Sequence, residues 1–250
     1  MALSRIQRGR KQEDAFASVA APLTQDLGRG WTMSPVQTKE FQVAELLREK
    51  IIAGVIVRGQ KLKQAEIAKL LNISITPVRE ALRLLEAQGY VRVSSHRGAV
   101  VAPFQIEQAD ELFDLRFTLE GKLAAAAATA LTQADLDALI ELNDEMRAAA
   151  ASGARATVRG NNFRFHFRLY ERANLPHTLE FVRVLWAKYP FDLLGAIPGR
   201  SGRVPDEHAD LIRALQEKEP RKAMRAMQTH IASGHRDFRA TYAIERRPAR

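Results

Sequence analysis

The segment from Ser74 to Arg97 constrains the fold more than any other part of this 250-residue chain. It begins at Ser74, a residue type favoured at helix N-caps, and its apolar residues recur at helical spacing. These residues are Val78, Ala81, Leu82 and Leu85. Gly89 ends the predicted helix. Two short apolar runs follow, at 90–93 and 99–101, so the segment predicts a helix followed by a two-stranded hairpin with a basic tip.

Two further helices are predicted just before this segment. The first contains an apolar stripe and ends at Gly54, and the second covers about 64–71. The stripe of the first helix consists of Phe41, Ala44, Leu46, Leu47, Ile51 and Ile52. A tight turn at Asn72 leads directly to Ser74. A short helix, a tight turn and a capped helix form a helix-turn-helix, and the hairpin that follows indicates the winged type. The alternative is a core helix beside an ordinary hairpin.

Residues 41–103 resemble the DNA-binding domain of the GntR family of bacterial transcription regulators. The most specific shared motif is Thr-Pro-Val-Arg-Glu-Ala-Leu at 76–82. Further matching residues are Leu47, Arg48, Ile51, Gly54, Gly59, Leu62, Ile67, Ala68, Ser74, Leu85, Gly89 and Gly98. The chain departs from the family at Ile75 and Ala65, where relatives often have arginine, so the resemblance does not define its operator sequence.

The resemblance assigns DNA contacts to two parts of this domain. Thr76, Arg79 and Arg83 are expected to contact base edges or phosphates in the major groove. The wing tip, which is expected to reach a neighbouring minor groove, consists of His96, Arg97 and Gly98. A homodimer with two such domains would bind a palindromic operator.

The charge distribution agrees with a DNA-binding role for the N-terminal half. The net charge is +9, and residues 41–104 contain ten Lys or Arg and five Asp or Glu. Residues 105–250 contain 22 Lys or Arg and 20 Asp or Glu. The excess of positive charge therefore lies where phosphate binding is expected. The chain has no cysteine, no long apolar run for a membrane span and no signal peptide, so we expect a cytoplasmic protein.

The chain is expected to contain three parts and to be mainly α-helical. Residues 1–37 lack helical periodicity and predict a disordered arm, which could add non-specific DNA contacts or precede a true translation start at Met33. Residues 38–103 form the winged helix-turn-helix with its two-stranded wing. Residues 104–245 are expected to form an all-helical effector-binding bundle. Its predicted helices cover 110–130, 132–151, 154–173, 178–189, 204–218 and the chain from Pro220 onward.

Three histidines of the second domain are candidate metal ligands. Asn162 and His166 are four residues apart and lie on one helix face, while His208 and His230 are on the last two helices. Three imidazoles and one oxygen that converge in a bundle core would bind a divalent transition metal. Taken singly, each histidine is more often a hydrogen-bonded residue without a metal.

Residues 105–240 resemble the effector domain called FCD, found in the FadR subfamily of GntR regulators. Many members hold a metal with one Asp and three His, and the resemblance places His166, His208 and His230 at the histidine positions. Asn162 occupies the position that is usually Asp, so the site has one negative charge fewer. We expect zinc or nickel, because imidazole dominates the ligand set.

Arg116 is a candidate effector-binding residue. In this subfamily an arginine at its position commonly faces the effector cavity, and a guanidinium beside a metal suits a carboxylate. The alternative is a solvent-exposed ion pair between Arg116 and Glu120, which are four residues apart.

Together these features predict a repressor whose operator binding is modulated by a small carboxylic acid bound near the metal. Two other functions remain open at this point. A metal-dependent hydrolase would use the three histidines, with Glu207 as the nearest candidate base. An architectural DNA-binding protein would have no ligand.

Overall fold

The computed structural model describes residues 37–94 and 98–242. The predicted arm up to residue 36 and the predicted wing-tip residues His96 and Arg97 lie outside the described residues. The described chain divides into two compact units. Residues 37–51 and 55–103 form the first, and residues 104–242, together with the short segment 52–54, form the second.

The first unit contains three helices and a small antiparallel sheet. The helices are α1 (Lys39–Ile52), α2 (Gln64–Leu71) and α3 (Ile75–Ala87). The strands are β1 (Lys61–Leu62), β2 (Val91–Ser94) and β3 (Gly98–Val101), with β3 between the other two. The predicted wing strands β2 and β3 pair in the register Val91 with Val101 and Ser94 with Gly98. The third strand, β1, was not predicted, because two residues are too short to show an alternating pattern.

Helix α3 has one buried and one exposed side. Its apolar positions Val78, Ala81, Leu82 and Leu85 are all at most 1% exposed. Ser74 is the N-cap residue as predicted, but its side chain makes no capping hydrogen bond. Asn72 follows α2 in the left-handed conformation with φ 52°, which produces the tight turn before α3.

The second unit is all-helical. A short 3₁₀ helix (Ile106–Gln108) precedes α4 (Ala109–Ala128), α5 (Gln133–Ala151) and α6 (Arg155–Glu171). They are followed by α7 (Pro176–Lys188), α8 (Phe191–Ala196), α9 (Arg200–Gln216) and α10 (Pro220–Tyr242). Helix α4 packs mainly against α10, and α5 packs against α6 and α9. No helix in the described part of the chain has the length and hydropathy that a membrane crossing needs.

One stretch differs from the sequence-based expectation. The sequence predicts a loop over 190–205, but the structure forms α8 there and starts α9 at Arg200, with Pro205 inside the helix. Pro205 is the sixth residue of α9, beyond the first N–H groups that have no helical partner, so the helix lacks one backbone hydrogen bond there. The side-chain amide of Asn143 donates to the Pro205 carbonyl oxygen at 2.9 Å, which ties this turn to α5.

A capping box holds the start of α5, as the Thr132-x-x-Asp135 motif predicts. The Asp135 backbone N–H donates to the Thr132 hydroxyl, and the Thr132 N–H donates to the Asp135 carboxylate, each at 3.2 Å. Arg172, just beyond α6, donates to the other carboxylate oxygen at 2.9 Å. The box therefore satisfies the first N–H groups of α5 and links that helix to the end of α6.

We expect Thr132→Ala to lower the free energy of unfolding of the second unit by about 1 kcal/mol, because the N-cap hydrogen bond is lost. Urea denaturation followed by tryptophan fluorescence, in a Trp31→Phe background that leaves Trp186 as the reporter, would measure this change. Thr129→Ala is the matched control, since Thr129 is exposed and lies outside the box, and its effect should stay within about 0.5 kcal/mol. Equal effects of the two variants would contradict the role of the cap.

Candidate functional site

The exposed side of α3 presents the residues predicted to contact DNA. Thr76, Arg79 and Arg83 are all exposed, the two arginine side chains to 50% and 67%. Glu80 accepts from Arg79 at 3.4 Å and from Arg83 at 3.2 Å. Exposed pairs of this kind contribute little energy, so both guanidinium groups can exchange Glu80 for a phosphate or base edge. Gly98, the one predicted wing-tip residue within the described ranges, begins β3 with φ 70°.

The structure brings the three predicted histidines together in the core of the second unit. His166 is on α6, His208 on α9 and His230 on α10, and their exposed fractions are 0%, 0% and 6%. One ring nitrogen from each lies within 4.8 Å of the others. His166 Nε2 and His230 Nε2 are 3.2 Å apart. The tertiary fold therefore assembles a donor set that the sequence spreads over 64 positions.

The hydrogen bonds behind His166 determine which of its nitrogens holds the proton. The Tyr170 hydroxyl donates to Glu120 Oε2 at 2.5 Å and lies 2.7 Å from His166 Nδ1. Because the tyrosine proton points to the carboxylate, the hydroxyl oxygen accepts from His166 Nδ1. The lone pair of His166 is therefore on Nε2, the atom that faces His230.

Glu207 fixes His230 in the same way. Glu207 Oε2 accepts from His230 Nδ1 at 2.7 Å, so Nε2 of His230 also has a lone pair. Arg200 donates to both carboxylate oxygens of Glu207, at 2.6 and 2.7 Å, and the Ser233 hydroxyl donates at 2.6 Å. Burial opposes ionisation of Glu207, but the bonds from His230 and Arg200 outweigh it and hold the pKa of this carboxyl far below its ordinary value.

Two imidazole lone pairs thus face each other across 3.2 Å, where they cannot form a hydrogen bond. A cation between them removes the repulsion. Two imidazoles on a tetrahedral ion with bonds of about 2.0–2.1 Å have their nitrogens about 3.4 Å apart, close to the observed separation. The donor set therefore fits a divalent transition metal.

His208 completes the cluster of three histidines, and Asn162 lies four residues before His166 on α6. Both ring nitrogens of His208 are buried without a hydrogen-bond partner among the described residues, and its ring stacks on Phe165 with centroids 4.1 Å apart. The side-chain oxygen of Asn162 is also buried without a partner in the described chain. Unpaired buried polar atoms are costly, and a metal ion would satisfy both residues.

Arg116 lies beside this centre and is also paired with Glu120. Its Nε and Nη2 donate to the two carboxylate oxygens at 2.5 and 3.3 Å. The pair is buried, Arg116 at 3% and Glu120 at 0% exposure, so the alternative of a solvent-exposed pair is wrong. The guanidinium stacks on the rings of Tyr189 and Phe191, 4.3 and 4.8 Å from their centroids. These aromatic contacts fix the plane of the guanidinium.

A cavity in the second unit adjoins the cluster. Arg116, Asn162 and His230 line it, as do Arg159 and Arg200. Its apolar lining consists of Val158, Phe191, Leu194, Val204 and Ile231. A concave site with an apolar wall and a few polar groups is typical of a small-molecule pocket.

Sequence reasoning missed the supporting residues. Tyr170 and Arg200 were not singled out, Glu120 was considered only as an exposed partner of Arg116, and Glu207 only as a catalytic base. Their roles depend on contacts between different helices, such as Tyr170 with Glu120 and Glu207 with His230, for which no spacing rule exists. The one usable local pattern was His166 with Tyr170, four residues apart on one helix face.

The fold defines a winged helix-turn-helix unit and a separate all-helical unit, and comparison with known proteins gives the family. Residues 39–101 match the bacterial regulatory proteins of the gntR family, and residues 111–233 match the FCD domain. The chain belongs to the GntR family of transcription regulators and contains an FCD domain.

Three similar proteins illustrate the relationship. The HTH-type transcriptional regulator McbR of Escherichia coli (strain K12) is 31% identical over 148 residues, covering 59% of this chain and 67% of McbR. The Exu regulon transcriptional regulator of the same strain is 29% identical over 213 residues, 76% of this chain and 80% of that protein. The solved structure of E. coli McbR/YncC has a TM-score of 0.74 and 26% identity, and the match covers 83% of this chain and all of that one.

The hydrolase alternative has no support, because the relatives are transcription regulators and not enzymes. The structure also gives a physical argument against the candidate base. Glu207 accepts hydrogen bonds from Arg200, Ser233 and His230, so its carboxylate is saturated and its depressed pKa makes it a poor proton acceptor.

We expect the stability of the metal-free protein to fall as the pH falls below about 6.5. Burial is the largest cause that lowers the pKa of His166, His208 and His230, and the neighbouring histidines lower it further for His166 and His208. The unfolded chain therefore binds protons at mildly acidic pH that the folded chain does not bind. Each such histidine adds a slope of up to about 1.4 kcal/mol per pH unit.

Chemical denaturation of the metal-free protein between pH 7.5 and 5.5 would measure this slope. His208→Leu should make the slope shallower, whereas His177→Leu should leave it unchanged, because His177 is exposed. An unchanged slope in His208→Leu would show that His208 is not held neutral by the fold.

Proposed function

We propose that this protein is a cytoplasmic repressor that binds a palindromic DNA operator as a homodimer. In this proposal a small carboxylic acid, bound beside a metal in the FCD domain, modulates operator binding. The effector changes DNA affinity only if it binds one arrangement of the DNA-binding domains more tightly than another.

The proposed DNA contacts are supported by the two sides of α3. Val78, Ala81, Leu82 and Leu85 anchor one side in the core, and Thr76, Arg79 and Arg83 project from the other. The exposed apolar side chain of Ile75 stands at the start of this helix. The Ile75 side chain cannot form a hydrogen bond with a base. In the proposed reading of the operator, Arg79 and the wing residues His96, Arg97 and Gly98 therefore have a larger share.

We expect Arg79→Ala to weaken specific operator binding by about 1–3 kcal/mol, which is the value of one good base contact. Selection of bound sequences from a random DNA pool gives the operator, and a gel-shift titration then measures the affinity. Arg213→Ala is the control, because Arg213 is an exposed arginine of α9 outside the DNA-binding domain. Unchanged operator affinity in Arg79→Ala, with an intact fold, would contradict the proposed contact.

His166, His208 and His230, with Asn162, form the proposed metal site. The observation that supports it best is the pair of Nε2 lone pairs that face each other at 3.2 Å. Imidazole donors favour zinc or nickel over magnesium. When bound, the metal supplies a coordination position for a carboxylate oxygen.

Arg116 is the proposed second anchor for the effector. Glu120 accepts from Nε and Nη2 of this guanidinium, which also lines the cavity that an acid would enter. The Arg116 guanidinium and the His166 ring lie 5.3 and 5.1 Å from the ring centroid of Trp186, so both are next to the same indole.

We expect His208→Ala to reduce the bound zinc or nickel from about one ion per chain to a small fraction, because a three-histidine set loses one donor. Mass spectrometry of the dialysed protein would measure the metal content. His208 makes no hydrogen bond to the described residues that the change would break. His177→Ala should retain the metal, since His177 is exposed and outside the cluster.

The same preparations separate a sensor from an architectural DNA-binding protein. Wild-type protein should show a rise in melting temperature with a carboxylic acid when the metal is present, and His208→Ala should not. If wild-type protein holds no metal and no acid raises its melting temperature, the architectural alternative is favoured and the proposed sensing function is wrong.

A further inference from the structure

The charges around the histidine cluster balance without a metal. Glu120 is neutralised by Arg116 and Glu207 by Arg200, each through two hydrogen bonds. Each of these carboxylates is held by its own guanidinium and directs its remaining interactions to Tyr170, Ser233 or a ligand histidine. They orient the imidazoles but add no net charge to the centre.

The groups that face a bound metal are also neutral. Histidine binds metals as neutral imidazole, and Asn162 contributes an amide oxygen where a carboxylate would bring one negative charge. A divalent ion held by these four residues therefore keeps its full charge of two. Buried uncompensated charge is costly, so the ligand that enters the cavity is the group that must balance it.

The side chains that line the cavity also favour a negatively charged ligand. Of the described residues that line it, none is acidic, and three are arginines: Arg116, Arg159 and Arg200. Arg159 is half-buried, burial lowers the pKa of its side chain, and Asp192 is the nearby carboxylate that opposes this effect. Beyond the polar end, the wall is apolar and includes Val158, Leu194 and Ile231. A short methylene chain fits such a wall, whereas a small inorganic anion would leave it uncovered.

We propose that the effector is a small organic dicarboxylate bound as a dianion, and that Asn162 determines this preference. The inference rests on the proposed function, since it requires an acid effector beside a metal. One carboxylate is held at the metal and the second by the cavity arginines, and the two negative charges offset the charge of the ion. A monocarboxylate leaves one positive charge unbalanced in a buried site.

Isothermal titration of the zinc-loaded full-length protein tests this charge balance. The probes are length-matched pairs, succinate with butyrate and glutarate with valerate, together with sulfate as an inorganic dianion. In the wild-type protein at least one diacid should bind about tenfold or more tightly than its monoacid partner, and more tightly than sulfate.

Asn162→Asp replaces the neutral amide by a carboxylate of nearly the same shape, so it adds the negative charge that the proposed site lacks. The ion then has one negative ligand, so the ratio of diacid to monoacid affinity should fall by about tenfold or more, while zinc affinity of the ligand-free protein should rise by about tenfold. Asn162→Leu is the matched control, because it removes the oxygen donor without changing the charge. It should weaken zinc binding but keep the preference for the diacid.

Each outcome addresses one proposal. Equal affinity for diacid and monoacid in the wild type, sulfate binding as tightly as the best diacid, or an affinity ratio that Asn162→Asp does not change would overturn the dicarboxylate inference. The carboxylate-sensing function would stand in those cases. If no acid of either series binds the zinc-loaded protein, the proposed function itself fails.

Discussion

The structure of the FCD domain depends on one constraint, the orientation of two buried imidazoles. Glu207 holds His230 through Nδ1, and Glu120 holds His166 through the hydroxyl of Tyr170. Both histidines therefore direct a lone pair at the same point. The residues that meet at this point come from three helices, α6, α9 and α10. The chemistry of the centre therefore depends directly on how these helices pack.

The supporting ion pairs show why this orientation is stable. Taking a carboxylate out of water is unfavourable unless a partner and hydrogen bonds compensate. Arg200 and Arg116 provide that compensation for Glu207 and Glu120, and the two arginines also line the cavity. The same guanidinium groups therefore compensate the buried carboxylates and form part of the cavity wall.

The fold could be predicted in large part because its signals are local. The motif at 76–82, the capping box at Thr132 and the proline at the start of α10 each lie within one or two helical turns, and each is present in the structure. The extra strand β1 and helix α8 were missed. The strand has only two residues, and α8 lies in a stretch where Pro190, Pro198 and Pro205 indicate a loop. Packing against neighbouring helices overrides that local preference.

The sequence by itself determined the order of the elements, the exposed side of α3 and the residue types His166, His208, His230 and Asn162, because helical periodicity and motif spacing are properties of neighbouring residues. Only the tertiary structure decided which nitrogen of each histidine faces the centre and that Arg116 pairs with Glu120 in the core. It also joined Arg200 to Glu207 beneath His230. The contact of Glu207 with His230 forms between two helices, whereas Arg116 with Glu120 and Arg200 with Glu207 are pairs within one helix that become buried when the bundle packs.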